Sequence, residues 1–184
     1  MLAALILLAM PTQAAAYDIG CLYPSRSQKE LVEANDCARH AGTIEFNPAR
    51  VRDLAFGASG LADVNVSGQW YYIHRDGGSA PVMTFDNWAD EFHDNRARSQ
   101  LGGKIGYIDR RLRLVLPRIY DGAFPFERGR AVVCFGCTRE TDGEHHYYAG
   151  GEWTCIDTSG RELIAPRQRV EAGRAGRTTC GYAD

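Results

Sequence analysis

A mainly β fold, built from tandem antiparallel β-meanders of about 35 residues and preceded by one or two short N-terminal helices, is predicted by three landmarks that recur at one spacing. Gly68-Gln69-Trp70-Tyr71-Tyr72-Ile73 returns 35 residues on as Gly103-Lys104-Ile105-Gly106-Tyr107-Ile108, and 48 residues further as Gly151-Glu152-Trp153-Thr154-Cys155-Ile156. A phenylalanine followed by a turn and an alanine occurs at Phe56, Phe92 and Phe126, at separations of 36 and 34. An aromatic-aspartate pair, Phe85-Asp86 and Tyr120-Asp121, is again 35 apart.

Taken in chain order, the first element is a short apolar run from Leu2 to Met10, followed by Ala14, Ala15 and Ala16. It resembles a secretory signal peptide with an A-x-A cleavage site, although the usual basic start is missing. The expectation is cleavage near Ala16/Tyr17, export to the periplasm or beyond, and no transmembrane anchor after processing. The run is short for a bilayer span. A lipidated Cys21 is the other reading, but Asp18 stands where a lipobox carries an aliphatic residue.

The first helix is expected from Ser25 as N-cap with Gln28 three residues on, apolar positions at Leu31, Ala34 and Ala38, and Gly42 as terminator. Asn47 followed by Pro48 marks a second, a short helical turn through about Leu54. The chain divides accordingly into a signal peptide (1–16), an N-terminal helical cap (17–55), a β-repeat domain (56–166) and a C-terminal tail (167–184).

Each repeat reads as a strand after the Phe turn, a glycine turn, an alternating strand such as Ile105 to Ile108, and an apolar run such as Leu114-Val115-Leu116 ended by Pro117. One such meander cannot cover its own apolar face, whereas neighbouring copies bury the Trp, Tyr and Ile positions between them. Trp70, Trp153, Tyr72 and Tyr107 are therefore read as a packing ladder rather than an exposed platform. Arg110, Arg111 and Arg113 guard an edge strand.

At these residues the chain resembles the WG-repeat family, whose units run G-L-A-x-V, G-K-W-G-Y-I-D, V-I-P-x-Y-D and F. The middle unit fits through Gly103-Lys104, Gly106-Tyr107-Ile108-Asp109, Pro117, Tyr120-Asp121 and Phe126. The outer units are degenerate: Tyr71 replaces a glycine in the first, and Thr154 and Cys155 replace Gly and Tyr in the last. Three copies cover residues 60–166. The resemblance implies a repetitive β architecture in bacterial proteins and brings no catalytic residue set with it.

The six cysteines, Cys21, Cys37, Cys134, Cys137, Cys155 and Cys180, suit an oxidising compartment and allow fifteen connectivities. Nearness in sequence favours Cys21 with Cys37. Cys134 and Cys137 are close enough to pair with each other, which leaves Cys155 with Cys180.

Sequence offers little chemistry. There is no HExxH helix, GxSxG elbow, phosphate-binding loop or GxGxxG turn. The formal charge of -2 gives no electrostatic reason to expect nucleic acid. The polar concentration is the 13-residue insertion Thr138 to Gly150, with Cys134-x-x-Cys137 at its base and His145, His146, Tyr147 and Tyr148 as candidate binding residues. Cys134, Cys137, His145 and His146 form the alternative zinc ligand set. A redox disulfide is a further alternative, and a disulfide clamping a long hairpin is the simplest. The acidic run Asp86, Asp90, Glu91 and Asp94 reads as a solvated connection. The expected function is an exported noncatalytic module that binds another protein or a cell-envelope component, without a cofactor.

Overall fold

A computed structural model of the protein describes residues 16–143, 145–163, 168–169 and Cys180; the segment expected to be a signal peptide, apart from Ala16, and most of the C-terminal tail lie outside the described residues. The described chain is mainly β, with antiparallel pairing throughout.

The first sheet contains β1 (Ile19–Pro24), β2 (Leu31–Ala41), β3 (Thr43–Phe46), β4 (Leu61–Val66), β5 (Gln69–His74) and β6 (Ser79–Val82), in the order β3-β2-β1-β4-β5-β6. The helix expected to begin at Ser25 and end before Gly42 is absent, because Leu31 to Ala41 pairs with both β1 and β3. Its capping chemistry is nonetheless present. The Gln28 N–H donates to Ser25 Oγ at 3.1 Å, but Lys29 adopts φ 59° and turns the chain back. The Leu31, Ala34 and Ala38 spacing fits a helix face. Cross-strand bonding and the Cys21–Cys37 disulfide decide instead for strand, since local propensity is a weak prior against tertiary contacts.

Helix α1 (Pro48–Asp53) follows β3 and is capped by Asn47, whose side chain accepts the Ala49 N–H at 3.0 Å. It lays Val51 and Leu54 on a core containing Tyr23, Cys37, Val64 and Ile73.

A two-residue hairpin, β7 (Thr84–Phe85) with β8 (Trp88–Ala89), leads to the second sheet of β9 (Ala97–Leu101), β10 (Lys104–Ile108) and β11 (Leu114–Tyr120), ordered β11-β10-β9. Here the Gly106 backbone almost touches its neighbour: an added Cβ would lie 2.5 Å from the Leu116 carbonyl oxygen, so only glycine fits. The last sheet holds β12 (Gly122–Ala123), β13 (Arg130–Phe135), β16 (Glu152–Asp157) and β17 (Gln168–Arg169). Between β13 and β16, β14 (Thr138–Asp142) pairs with β15 (His145–Ala149).

The joints between sheets use matching contacts. Tyr72 packs against Phe92 with centroids 5.2 Å apart, and its hydroxyl donates to the Asp90 carbonyl at 2.9 Å. Tyr107 packs against Phe126 at 4.8 Å, and its hydroxyl donates to the Phe124 carbonyl at 2.7 Å. In both, the acceptor sits two residues before the phenylalanine. Arg75 lies over Phe56 and Arg110 over Phe92, at 4.4 and 4.7 Å.

Turns recur too. The His74 N–H donates to the Gly78 carbonyl, Asp109 to Arg113 and Asp157 to Arg161. In the last two, the aspartate carboxylate caps the turn and pairs with the arginine four residues on. Burial pushes the Asp109 carboxyl up, but the Arg113 guanidinium and the Arg113 and Arg111 N–H groups outweigh it, leaving its pKa below the ordinary range. The Ser159 hydroxyl, aided by the Ser159 and Arg161 N–H groups, holds Asp157 at about 2.

Asp90, expected in a solvated run, is instead buried with Arg98. Its carboxylate accepts from Arg98 N, Nε and Nη2, while Arg98 Nη1 donates to the Ala123 carbonyl at 3.1 Å. That arrangement ties the connection before β9 to the one before β13.

Candidate functional site

The insertion is a β-hairpin. Thr138 pairs with Ala149, Glu140 with Tyr147 and Asp142 with His145, so β14 and β15 hydrogen-bond to each other as a separate two-stranded sheet. Its base is closed by the Cys134–Cys137 disulfide, and the other pairs are Cys21–Cys37 and Cys155–Cys180.

That base is tightly packed. A Cβ on Gly122 would meet Cys137 Sγ at 2.8 Å and the Tyr148 ring at 3.0 Å. Gly151, at φ 76°, would bring one to 2.5 Å from the Cys137 nitrogen. Trp153 donates its indole N–H to the Gly150 carbonyl at 2.8 Å.

The candidate binding residues separate. Tyr148 is 9% exposed and packs edge-on against Phe124 and Trp153, at 6.1 and 6.2 Å. Burial raises its phenol pKa. It belongs to the core, and Ala149 is buried as well, so Tyr148 is a packing residue rather than part of an open binding surface. Tyr147 and His146 remain on the outer part. The Tyr147 hydroxyl donates to Glu140 Oε2 at 3.0 Å, and His146 Nδ1 is 3.0 Å from Thr141 Oγ1. The backbone places His145 opposite Asp142 beside the tip.

The zinc set is not assembled, because Cys134 and Cys137 are joined to each other. Among the described residues no group of three or more His, Cys, Asp or Glu side chains is arranged to hold a metal. No described helix is long and apolar enough to cross a membrane.

The packing ladder is buried at Trp70, Trp153 and Tyr107, with 3, 1 and 0% exposure, while Tyr72 is partly buried. Open rings occur elsewhere, at Phe85 and Trp88 on the β7–β8 hairpin and at Phe124. The signal available for the first two was the sequence Phe-Asp-Asn-Trp, whose central pair suits a tight turn that projects both flanking rings.

No curated protein and no solved structure matches this chain. The model of the WG containing repeat matches residues 105–136, from β10 through β13. That segment includes the Gly106 close approach, the Asp109 turn and the Tyr107–Phe126 joint. The resemblance carried by Gly106-Tyr107-Ile108-Asp109 is thus met in the middle of the chain, where residues 105–136 match the WG containing repeat.

Proposed function

We propose that the protein is an exported, noncatalytic binding module in which a tandem array of three WG-like units carries a recognition hairpin. The tandem reading is supported by the two equivalent Tyr–Phe joints and the three equivalent turns, which fall at the sequence spacings of the repeats. Export is supported by three disulfides, which persist where thiols are not kept reduced. Partners are other proteins or cell-envelope components.

The observation that carries recognition is the β14–β15 hairpin, which among the described residues is bonded laterally only to itself and is anchored at its base by Cys134–Cys137 and Tyr148. Rigid scaffolds with projecting connections commonly bind through them. The surface offered is Glu140, Thr141, His146 and Tyr147, a polar cluster with one aromatic ring.

The test replaces Glu140 to Tyr147 with an Asn-Gly turn, keeping Tyr148 and Ala149 in the core. The expected result is an unchanged cooperative unfolding transition with loss of proteins crosslinked to the module in envelope extracts. An unchanged crosslinking pattern overturns the recognition role. In the same extracts the mature chain is expected to begin near Tyr17, and an intact Met1 overturns export.

A further inference from the structure

The β7–β8 hairpin exposes two large aromatic rings in a setting of negative charge. Asp86 and Asn87 take φ values of 46° and 66°, the left-handed pair that closes a two-residue hairpin. This makes Phe85 and Trp88 a cross-strand pair, with side chains on one face. Each ring has a covered inner side: Trp88 stacks on buried Trp70 with centroids 4.6 Å apart, and Phe85 lies over the Arg98 guanidinium at 5.4 Å. Their outer sides face solvent, with Phe85 59% and Trp88 42% exposed.

Arg98 is paired with Asp90, and Arg110 is stacked on Phe92. Acidic side chains follow the rings in sequence or on the neighbouring strand: Asp86 in the turn, Glu91 just after the hairpin and Asp63 on β4. Asp63 is the cross-strand partner of Tyr72, and its Oδ2 is buried without a hydrogen-bond partner. Burial raises its pKa, offset in part by its own backbone N–H and by the Trp88 side chain, so the carboxyl and the indole are neighbours.

Aromatic faces carry negative electrostatic potential, and carboxylates nearby extend it. A neutral sugar could stack on the rings and donate its hydroxyls to the carboxylates but carries no charge for them to attract, and a hard metal ion would gain nothing from the rings. An organic cation gains from both, and its alkyl groups lower the cost of leaving water.

We propose that the open faces of Phe85 and Trp88, with the exposed Asp86 in the turn and Glu91 just after it, bind a small soluble alkylammonium compound. The site lies on different elements from the β14–β15 hairpin and stands without that reading.

The test uses choline and its neutral isostere 3,3-dimethylbutan-1-ol, titrated against the full mature chain and followed by tryptophan fluorescence. Choline is expected to give a saturable change that weakens as salt rises, and the isostere none. Trp88→Ala should weaken binding about tenfold, the scale of one desolvated cation–π contact. Asp86→Asn, at an exposed turn position that leaves the core intact, should weaken it severalfold. A response equal for the two compounds, or no saturable response, overturns the proposal. So does choline binding that survives Trp88→Ala and Asp86→Asn unchanged. Sedimentation with phosphatidylcholine vesicles without a response to free choline also overturns it, in favour of a membrane headgroup. If Trp88→Ala fails to fold, Phe85→Ser supplies the ring test, and unchanged binding there counts against the site equally.

Discussion

Tyr107 performs three tasks with one side chain. It fills the joint against Phe126, meets Tyr120 edge-on and satisfies the Phe124 carbonyl, all without solvent exposure. Tyr107→Phe should therefore cost about 1 kcal/mol from the lost hydrogen bond, and Tyr107→Ala about 3 kcal/mol or more from the cavity, both measured by urea unfolding. The small Phe cost beside the large Ala cost is the expected signature of a packing ring, and equal midpoints for all three proteins would contradict it. The same burial has a pH consequence. It raises the Tyr107 pKa, as it does for Tyr72 and Tyr148, so the folded protein keeps these phenols neutral where the unfolded chain ionises them. Their contribution is full below the unfolded value of about 10 and declines as pH rises above it. Chemical denaturation from pH 9 to 11 should show falling stability, with a shallower decline in Tyr107→Phe.

The element scale separates what sequence made legible from what it did not. Strands β4, β5, β9 and β10 follow from the Phe turns, the glycine turns and two-residue alternation, and Asn47-Pro48 marks α1. Segment 25–42 was misread because Ser25 caps a turn much as it would cap a helix. What makes the difference is β1, whose pairing with Leu31 to Ala38 is nonlocal. The insertion's position was readable from the unequal repeat spacing, yet its division was not: Tyr147 and Tyr148 are adjacent and chemically identical, and the neighbouring Trp153 and Phe124 put the second in the core. The Phe85 and Trp88 platform was also hidden, since periodicity marks aromatic positions without saying which rings another element covers. Gly106 illustrates a motif letter whose reason needs coordinates. Gly106→Ala should destabilise by about 2 kcal/mol, the scale of overpacking against an unyielding neighbour, and a wild-type thermal midpoint would show that β11 can move away from the Leu116 contact.

Across the whole molecule, the Asp90–Arg98 pair couples segments far apart in sequence, because its guanidinium also holds the Ala123 carbonyl. Removing one partner leaves a buried charge uncompensated. Asp90→Asn should therefore cost about 3 to 5 kcal/mol, whereas an apolar replacement of both residues should recover much of that loss. A double variant no better than the single would mean that the bond to Ala123, rather than charge, dominates. The disulfides are distributed differently from this internal tie. Cys21–Cys37 joins the first two strands, Cys155–Cys180 secures the last sheet to the tail, and no cysteine lies on β9, β10 or β11. In a linear stack the outer members have a neighbour on one side only and come apart first. On the proposed tandem order, Cys21–Cys37 and Cys155–Cys180 lie in the outer sheets and Cys134–Cys137 packs where the last sheet meets the middle one, while no disulfide joins strands within the middle sheet itself. Redox conditions therefore govern the ends of this protein and leave its centre to noncovalent forces, so a reducing environment would loosen the molecule from the outside inward.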